Sequence, residues 1–524
     1  MSTSSSSNNQ IAKATGLIMA AFILSQLVGL FRRILVANAF GASIELDAFI
    51  AANRVSETLF NLVAGGALGS AFIPVYTKYL VKGNKKSAWE LASSIGNLVL
   101  LVLTLLAVIS FFFAPQIVKF ALAPGLASDP SLFQLTIKLL RIQLISSILF
   151  GISGLFMGIL NSHKQFLIPA LTPAMYQVGL IFGVYLLSPS MGIFGLAWGV
   201  VLGALLHLIL QIPSIIKKVG RYSFSLGIKN KDVGEVIRLI VPRLLGVAVV
   251  QLNFWVNSAL ASKMSAGSLV GIDYGFSLML MAQAIIAQSA ATAMMPTLTR
   301  QYALGKMNEV RNSLSSTLRG ILLLSIPASV GLIILARPLI TTLYQRGNFT
   351  EHSTELVAWA LVWYSGGLIG HALVEVLARA FYALHNTKTP VIIGVFAMIL
   401  NIILSFSLSS LFSKLGLMPH GGLALANSIA TLLEAIILLI LIRKRLQGVN
   451  SIWILRGFMQ SALASACMGL LLFAFLNWFT GTADWILLGS GLIVGGGSYL
   501  IIIWLMKNPE LLSFFRLIKE RFSS

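Results

Sequence analysis

The sequence predicts an all-α polytopic membrane protein: fourteen transmembrane helices, in two pseudo-twofold-related six-helix lobes plus two C-terminal helices. Three observations carry this. Hydrophobic residues make up 57% of the 524 residues and charged residues only 10%, outside the balance of a soluble globular domain. The apolar residues gather in runs of about 20, the length of helix that crosses roughly 30 Å of hydrocarbon, and none alternates in polarity as a barrel strand would. The chain also repeats itself. Ala71-x-x-Pro74-x-x-Thr77-Lys78, reaching Gly83, recurs as Ala293-x-x-Pro296-x-x-Thr299-Arg300, reaching Gly305, at an offset of 222 that also pairs His163 with His385 and Gly125 with Gly347. Gly195-Leu196-Ala197 recurs as Gly422-Leu423-Ala424 at 227.

The spans begin near residues 11, 47, 87, 133, 165, 191, 234, 267, 313, 354, 389, 421, 456 and 484. Ahead of the first, residues 1–10 read as a disordered polar tail, and no basic n-region with a cleavage site marks a removable signal peptide. Residues 11–217 form the N-lobe. Its first span runs into Arg32-Arg33, its second carries Arg54 and Glu57 before Gly65-Gly66, and its fourth holds Lys138 and Arg141 near enough to the start to snorkel. A basic linker, 218–230, leads to the C-lobe, 231–446. There Arg238 and Arg243 flank Pro242 on span seven, Asp273 begins span eight, and Glu375 and Arg379 share a face of span ten. Residues 447–507 add two spans without a counterpart. Residues 508–524 mix Phe514, Phe515, Leu517 and Ile518 with Arg516, Lys519 and Arg521, a surface-lying amphipathic pattern. The repeat copies share span parity, so both lobes insert the same way up, the parallel arrangement by which transporters enclose a substrate path.

The net charge of +21 is distributed by side. Assigning connections alternately puts 23 cations on the side of the N-terminus and 7 on the other. That asymmetry follows the positive-inside rule and sets both termini in the cytoplasm, within the cytoplasmic membrane. It also sets basic groups against anionic lipid headgroups. No basic face interleaved with aromatics points to nucleic acid. Cys467, the sole cysteine, excludes an intramolecular disulfide and a thiol metal cluster.

Ionisable groups inside spans cost roughly 2.5–3.5 kcal/mol each at a helix centre on insertion scales and so mark function. They are densest around the first two spans: Arg32, Arg33, Glu45, Asp47, Arg54 and Glu57. Two readings stand. The six form a self-neutralising lock between two helices, or the arginines face an anionic substrate in a solvated vestibule, where their planar forks suit phosphate oxygens. His207 and His371 are isolated and read as hydrogen-bonded interior histidines. Gln143, Gln177, Gln251, Asn253, Asn257, Gln283 and Gln288 spread polarity over many helices, as a wet cavity does and one reaction centre does not. No nucleophile–base set, phosphate loop or metal-ligand cluster is visible, so no enzyme activity and no cofactor are expected.

Several motifs carry a resemblance. They are Phe40-Gly41-Ala42 with Asp47-Ala48-Phe49, Gly66-Ala67 with Ala71-Phe72-x-Pro74, Ala123-Pro124-Gly125, and Pro169-Ala170-x-x-Pro173. The C-lobe adds Gln345-x-Gly347-x-Phe349-Thr350, Tyr364-Ser365-x-Gly367-Leu368-Ile369-Gly370, and Phe381-Tyr382 leading into Thr387-Lys388-Thr389-Pro390. Over essentially its whole length the chain resembles the MurJ (MviN) family of lipid II flippases, within the MOP superfamily of exporters. The resemblance implies a two-lobe fold with a central cationic cavity, a lipid-tail groove formed by helices thirteen and fourteen, and alternating access. The cargo it implies is undecaprenyl-pyrophosphate-linked disaccharide-pentapeptide, carried to the outer leaflet for peptidoglycan and cell-wall biogenesis. Of the family's functional residues, Arg32, Asp47 and Arg54 are matched. Three aligned cavity arginines are replaced by Gln26, Phe60 and Ser277, and an aligned glutamate by Gly65.

The leading expectation is therefore a lipid II flippase in which Arg32, Arg33, Arg54 and Arg243 bind the pyrophosphate, while Asp47 and Glu57 orient those arginines and gate. The alternatives are a flippase for another polyprenyl-linked saccharide and a non-transporting scaffold derived from one. A membrane glycosyl- or acyltransferase lacks an evident acidic or histidine site. Nothing in the residues reads out a cell-wall synthase partner.

Overall fold

The computed structural model describes residues 2–63, 67–218, 222–479 and 481–511; within helices, the side chains at 2–16, 18, 19, 63, 67–70, 242, 243 and 245 lie outside the description. Every regular element among the described residues is helical. The chain divides into two compact units, the first Met1–Ala266 with Arg346–Asn348, the second Gly267–Gln345 with Phe349–Ser524.

The first unit contains α1 (Ser2–Phe40), α2 (Ile44–Val63), α3 (Ala67–Val81), α4 (Lys85–Phe112), α5 (Ala114–Ile117) and α6 (Pro130–Ser162). It continues with α7 (Leu167–Phe182), α8 (Ser188–Met191), α9 (Ile193–Ile209), α10 (Ile212–Ile216) and α11 (Lys231–Ala261). Helix α6 is its hub, packed by α2, α3, α4 and α9. Its start is fixed by Asp129, whose carboxylate accepts from the Ser131 and Leu132 N–H groups at 2.7 and 3.3 Å, a side-chain cap on otherwise orphaned donors. Ser56 of α2 is tied to α6 inside the unit, donating to Gln143 O at 3.0 Å and meeting the Ser146 and Ser147 hydroxyls at 2.7 and 2.8 Å. In hydrocarbon, such interhelical hydroxyl bonds hold helices together where apolar contact alone gives no preference.

The second unit contains α12 (Ser268–Gln283), α13 (Ser289–Ala303), α14 (Met307–Ile334), α15 (Ala336–Tyr344) and α16 (Glu351–Ala383). It ends with α17 (Lys388–Lys414), α18 (His420–Arg445), α19 (Ser451–Trp478) and α20 (Asp484–Leu505). Helix α16 is the hub here, packed by α12, α14 and α18.

The sequence repeat is a repeat of structure. Adding 222 carries the bounds of α3 onto those of α13 and the bounds of α4 onto those of α14; adding 227 carries the start of α9 onto that of α18. Pro74 and Pro296 both lie inside their helices. The paired histidines both lie just past their helices: His163 caps α6 and meets the Tyr76 ring edge-on at 6.0 Å, while His385 stands one residue beyond the Leu384 cap of α16, at φ +56°, and meets the Tyr302 ring at 6.1 Å. Burial, helped by Lys218 and Lys85, holds His163 below the ordinary histidine range.

The paired glycines make a matched pair of clamps. A Cβ on Gly125 would lie 1.9 Å from the backbone oxygen of Ser262, just past the end of α11, and one on Gly347 would lie 2.6 Å from the backbone oxygen of Asn38, near the end of α1. Gly347 also holds φ +58°, a left-handed conformation that other residues resist. Neither position has room for a methyl group. Gly125→Ala should therefore lower stability by about 1–3 kcal/mol, the usual cost of overpacking, read as an earlier thermal transition in detergent. An unchanged transition would show that the 123–128 turn simply swings away.

Among the described residues twelve helices are long and apolar enough to cross a membrane, and their outward faces carry large bare side chains such as Phe473, Phe396 and Ile493. Such faces would aggregate in water and are ordinary in lipid. The chain is a multi-pass membrane protein. Of the fourteen expected spans, that from residue 47 is the α2–α3 pair and that from 234 is α11. In α11, Gly246–Ala261 is a shorter apolar helix.

The compact units do not follow the bounds of the duplicated lobes. The units divide after Ala266, not at the 218–230 linker, because α11 packs on α2 and α3. Trp255 Nε1 donates to Thr58 Oγ1 at 2.8 Å, and Tyr79 donates to Asp232. The opening polar residues are helical from Ser2 where a disordered tail is expected, since extending a helix beyond its first turn costs little. Of the amphipathic tail, only 508–511 lie within the described residues, as do neither Gly65 nor Gly66.

Candidate functional site

The charge cluster expected at the first two spans is assembled within the first unit. Arg32 and Arg33 stand near the end of α1, both half-buried. Asn348 fixes that end, its N–H donating to Asn38 O at 2.9 Å and its Nδ2 to Ala39 O at 2.6 Å. Helix α2 then starts at Ile44, with Glu45 and Asp47 in its first turn, where negative charge complements the helix dipole. Asp47 is buried, 3% exposed, and engaged by neighbouring groups, as are Arg32 and Arg33.

Two turns on, Arg54 is the best-defined cation of the cluster. Its Nη1 donates to Glu57 Oε2 at 3.0 Å, and its guanidinium lies 5.2 Å from the centre of the Phe254 ring on α11. Asn53 Nδ2 holds the other Glu57 oxygen at 2.7 Å. Glu57 is thus fixed at both oxygens, yet its side chain stays 42% exposed while that of Arg54 is 15% exposed. The carboxylate marks the open edge and the guanidinium lies inside it. Thr58, one residue on, is held by α11 from two sides, donating to Gln251 Oε1 at 3.2 Å and accepting from Trp255.

Tyr176 of α7 lies within electrostatic reach of Arg32 and Arg33 on α1 and of Glu57 on α2. Guanidinium groups in such a setting present forked N–H donors that match phosphate oxygens. Arg243 lies in α11, but its side chain is outside the described residues.

Where the family carries arginine and this chain does not, the structure shows the replacement chemistry. Phe60 packs at a tilt on Phe150 at 4.7 Å, and Phe150 meets Tyr176 at 5.2 Å and His207 at 5.4 Å. That position is aromatic packing, not a cationic wall. Ser277 bonds its own helix at Asp273 O, 2.7 Å away. Gln26 is exposed on α1.

Both isolated histidines are hydrogen-bonded in the interior: His207 Nδ1 with Ser153 Oγ at 2.6 Å, and His371 Nε2 with Asn427 Oδ1 at 3.0 Å. Glu375 and Arg379 pair at 2.6 Å. Among the described residues, no group of three His, Cys, Asp or Glu side chains is placed to hold a metal ion. Within the second unit, a cavity of about 880 Å³ opens between α13, α14 and α19, lined by Met294, Ser316, Gly320, Leu324 and Trp453 among others.

Three features escape sequence reading. Phe254 and Trp255 brace the cluster from α11, and nothing in their spacing says so. Arg319, 2% exposed, pairs with Glu510 at 2.6 Å in the second unit. Glu434 sits inside the apolar run of α18, and a search for lone acids would find it.

The lipid II flippase MurJ family model matches residues 36–489. The chain belongs to the lipid II flippase MurJ family. A lipid II flippase MurJ of Burkholderia cenocepacia is 30% identical over 502 residues, 92% of this chain and 95% of that protein. A probable lipid II flippase MurJ of Vibrio cholerae serotype O1 is 30% identical over 523 residues, 95% of this chain and 97% of that one. Among solved structures, a lipid II flippase MurJ in an inward closed conformation aligns with a TM-score of 0.80 at 28% identity, covering 94% of this chain and 98% of that one. An inward-facing multidrug-resistance MATE transporter of the MOP superfamily aligns at 0.67 with 14% identity, 82% of this chain and 98% of that one; that likeness speaks for the fold alone. The family expected from the motifs is thereby shown.

Proposed function

We propose that this MurJ-family chain translocates lipid II, the undecaprenyl-pyrophosphate-linked disaccharide-pentapeptide, from the inner to the outer leaflet of the bacterial inner membrane by alternating access, with both termini cytoplasmic. The observation that carries the reading is the match, over nearly the whole chain, to relatives of nearly equal length that are named for lipid II; the Arg54–Glu57 pair, with Glu57, Arg32 and Arg33 all in electrostatic reach of Tyr176, supports it. Arg32, Arg33 and Arg54 take the pyrophosphate, with Arg243 joining from α11. Glu57 orients Arg54 and Asp47 steadies the start of α2; both gate by competing with the anion for the arginines. The cavity between α13, α14 and α19 offers Met294, Ile321, Leu324 and Trp453 to the polyprenyl chain. The work is movement, with no bond made or broken, so no enzyme activity and no cofactor are assigned. The moving elements are the duplicated lobes, 11–217 and 231–446, with α11 carried on the first compact unit.

A second reading changes the cargo to another polyprenyl-linked saccharide. The aromatic packing at Phe60 favours it, since three fewer arginines leave a weaker pyrophosphate clamp, each charge-assisted hydrogen bond contributing about 1.5–3 kcal/mol.

The test is translocation of fluorescent lipid II in proteoliposomes, wild type against Arg32→Ala. Wild-type transfer that drops at least tenfold in the variant supports the proposal. Equal transfer by both moves the site elsewhere, and transfer by neither, with another polyprenyl-linked saccharide transferred, establishes the second reading. A protein that moves no lipid-linked saccharide is the scaffold.

A further inference from the structure

The second unit holds an acid that the proposed cargo chemistry leaves unused. Glu434 lies near the middle of α18, well inside an apolar run from Ala430 to Ile442. It makes no hydrogen bond and no ion pair with any described residue. Its Oε1 faces α17 at Gly394, where a Cβ would come within 3.4 Å. A carboxylate so placed keeps an uncompensated charge inside hydrocarbon, and ionisable groups retained there at such cost mark ion or proton pathways by default.

The neighbouring charges do not cancel it. On α16, Arg379 Nη2 is committed to Glu375 at 2.6 Å, while its Nη1 donates to Gln288 O at 3.3 Å and to the Thr292 hydroxyl. The guanidinium is therefore saturated by its own helix and by the 284–303 segment. Glu375, Glu434 and Arg379 all lie within electrostatic reach of Tyr382. Of the other elements on α18, α17 brings Gly394 to the acid, with Lys388 back at that helix's start. Helix α12 has Asp273 near Gly271, which abuts His420 at the far end of α18. His371 of α16 also faces α18, its Nε2 3.0 Å from Asn427 Oδ1 and 3.5 Å from Thr431 Oγ1, one turn before the acid; of charged groups the local set is two carboxylates and one guanidinium.

We propose that Glu434 is a proton-binding site, and that loading and unloading this one proton is coupled to the transport cycle. The step is a bare protonation: a carboxylate oxygen takes a proton from water, its charge vanishes, and release restores it. A metal cation fits less well. It needs a shell of oxygen donors, and no other acidic or histidine side chain among the described residues completes one.

This coupling rests on the transport reading, so the test has two arms. In the first, infrared difference spectra of the purified full-length protein are recorded across a pH titration. A protonated-carboxyl band that titrates in the wild type and is missing in Glu434→Gln supports the site, whatever the cargo; a band unchanged by that substitution overturns it. In the second, lipid II distribution is followed in proteoliposomes with a one-unit pH gradient. One coupled proton shifts the steady-state leaflet ratio by up to about tenfold, and Glu434→Gln should abolish the shift while Glu434→Asp retains it. A shift of equal size in Glu434→Gln, or one driven through Glu434 by a sodium gradient alone, overturns proton coupling. Should the wild type move no lipid II under any gradient, the cargo reading fails and the infrared arm alone decides the proton site.

Discussion

Arg54→Ala should cost the protein about 10–100-fold in lipid II translocation, the equivalent of one charge-assisted contact of about 1.5–3 kcal/mol. The substitution does more than delete a cation. Glu57 loses the partner at 3.0 Å that neutralises it but keeps Asn53, so a fixed negative charge is left at the open edge where the pyrophosphate must enter. Repulsion adds to lost attraction. Arg54→Lys should recover only part of the loss, because an ammonium keeps the charge but not the planar fork. The decisive comparison is Arg54→Ala combined with Glu57→Gln. If Arg54 binds cargo, removing the Glu57 charge relieves repulsion yet leaves a clear deficit. If the pair only locks α2, the double variant transfers lipid II at the wild-type rate, as expected when two partners act solely on each other, and the binding role is lost. A thermal transition measured on each variant separates transport defects from unfolding, since Arg54 is also packed on Phe254 at 5.2 Å.

Much of the fold was legible because membrane helices are written in local signals. The bounds of α3 and α13, and of α4 and α14, coincide at the repeat offset, since each pair carries the same run length and the same glycine after it. The histidine and glycine pairs survived duplication for reasons the structure supplies: a ring against tyrosine, and a backbone approach that leaves no space for Cβ. What was illegible is tertiary. Nothing in the period of α11 announces that Phe254 and Trp255 turn toward α2, and this is what moves the unit boundary past Ala266. The site was legible where charges cluster in sequence, at Arg32, Arg33, Arg54 and Glu57. It was illegible where one residue acts alone, as Glu434 does. Phe60 shows a third case: the missing arginine was visible, but only the ring on Phe150 shows that the position has become packing.

The largest stability effect is expected far from the cargo cluster. Arg319 on α14 is almost wholly buried, its Nη2 on Glu510 Oε2 at 2.6 Å, its Nη1 on Trp453 O at 2.9 Å, and its guanidinium 4.3 Å from the Trp453 ring. Partners 191 positions apart lie beyond any sequence pattern. The segment after α20 is fitted to deliver that acid: Asn508 Nδ2 donates to Gln460 Oε1 at 3.0 Å, and its Oδ1 accepts the N–H groups of Glu510 and Leu511 at 3.1 and 3.2 Å. Removing one partner of a buried pair strands the other charge, a loss of about 3–5 kcal/mol. Glu510→Ala should therefore lower the thermal transition sharply and free the chain beyond α20 to proteolysis. Replacing both partners, Arg319→Met with Glu510→Gln, should restore most of the stability, because the cost lies in the stranded guanidinium more than in the lost bond. A Glu510→Ala protein that melts within a degree of wild type would mean that water reaches Arg319, and that the C-terminal segment is no anchor for α14 and α19.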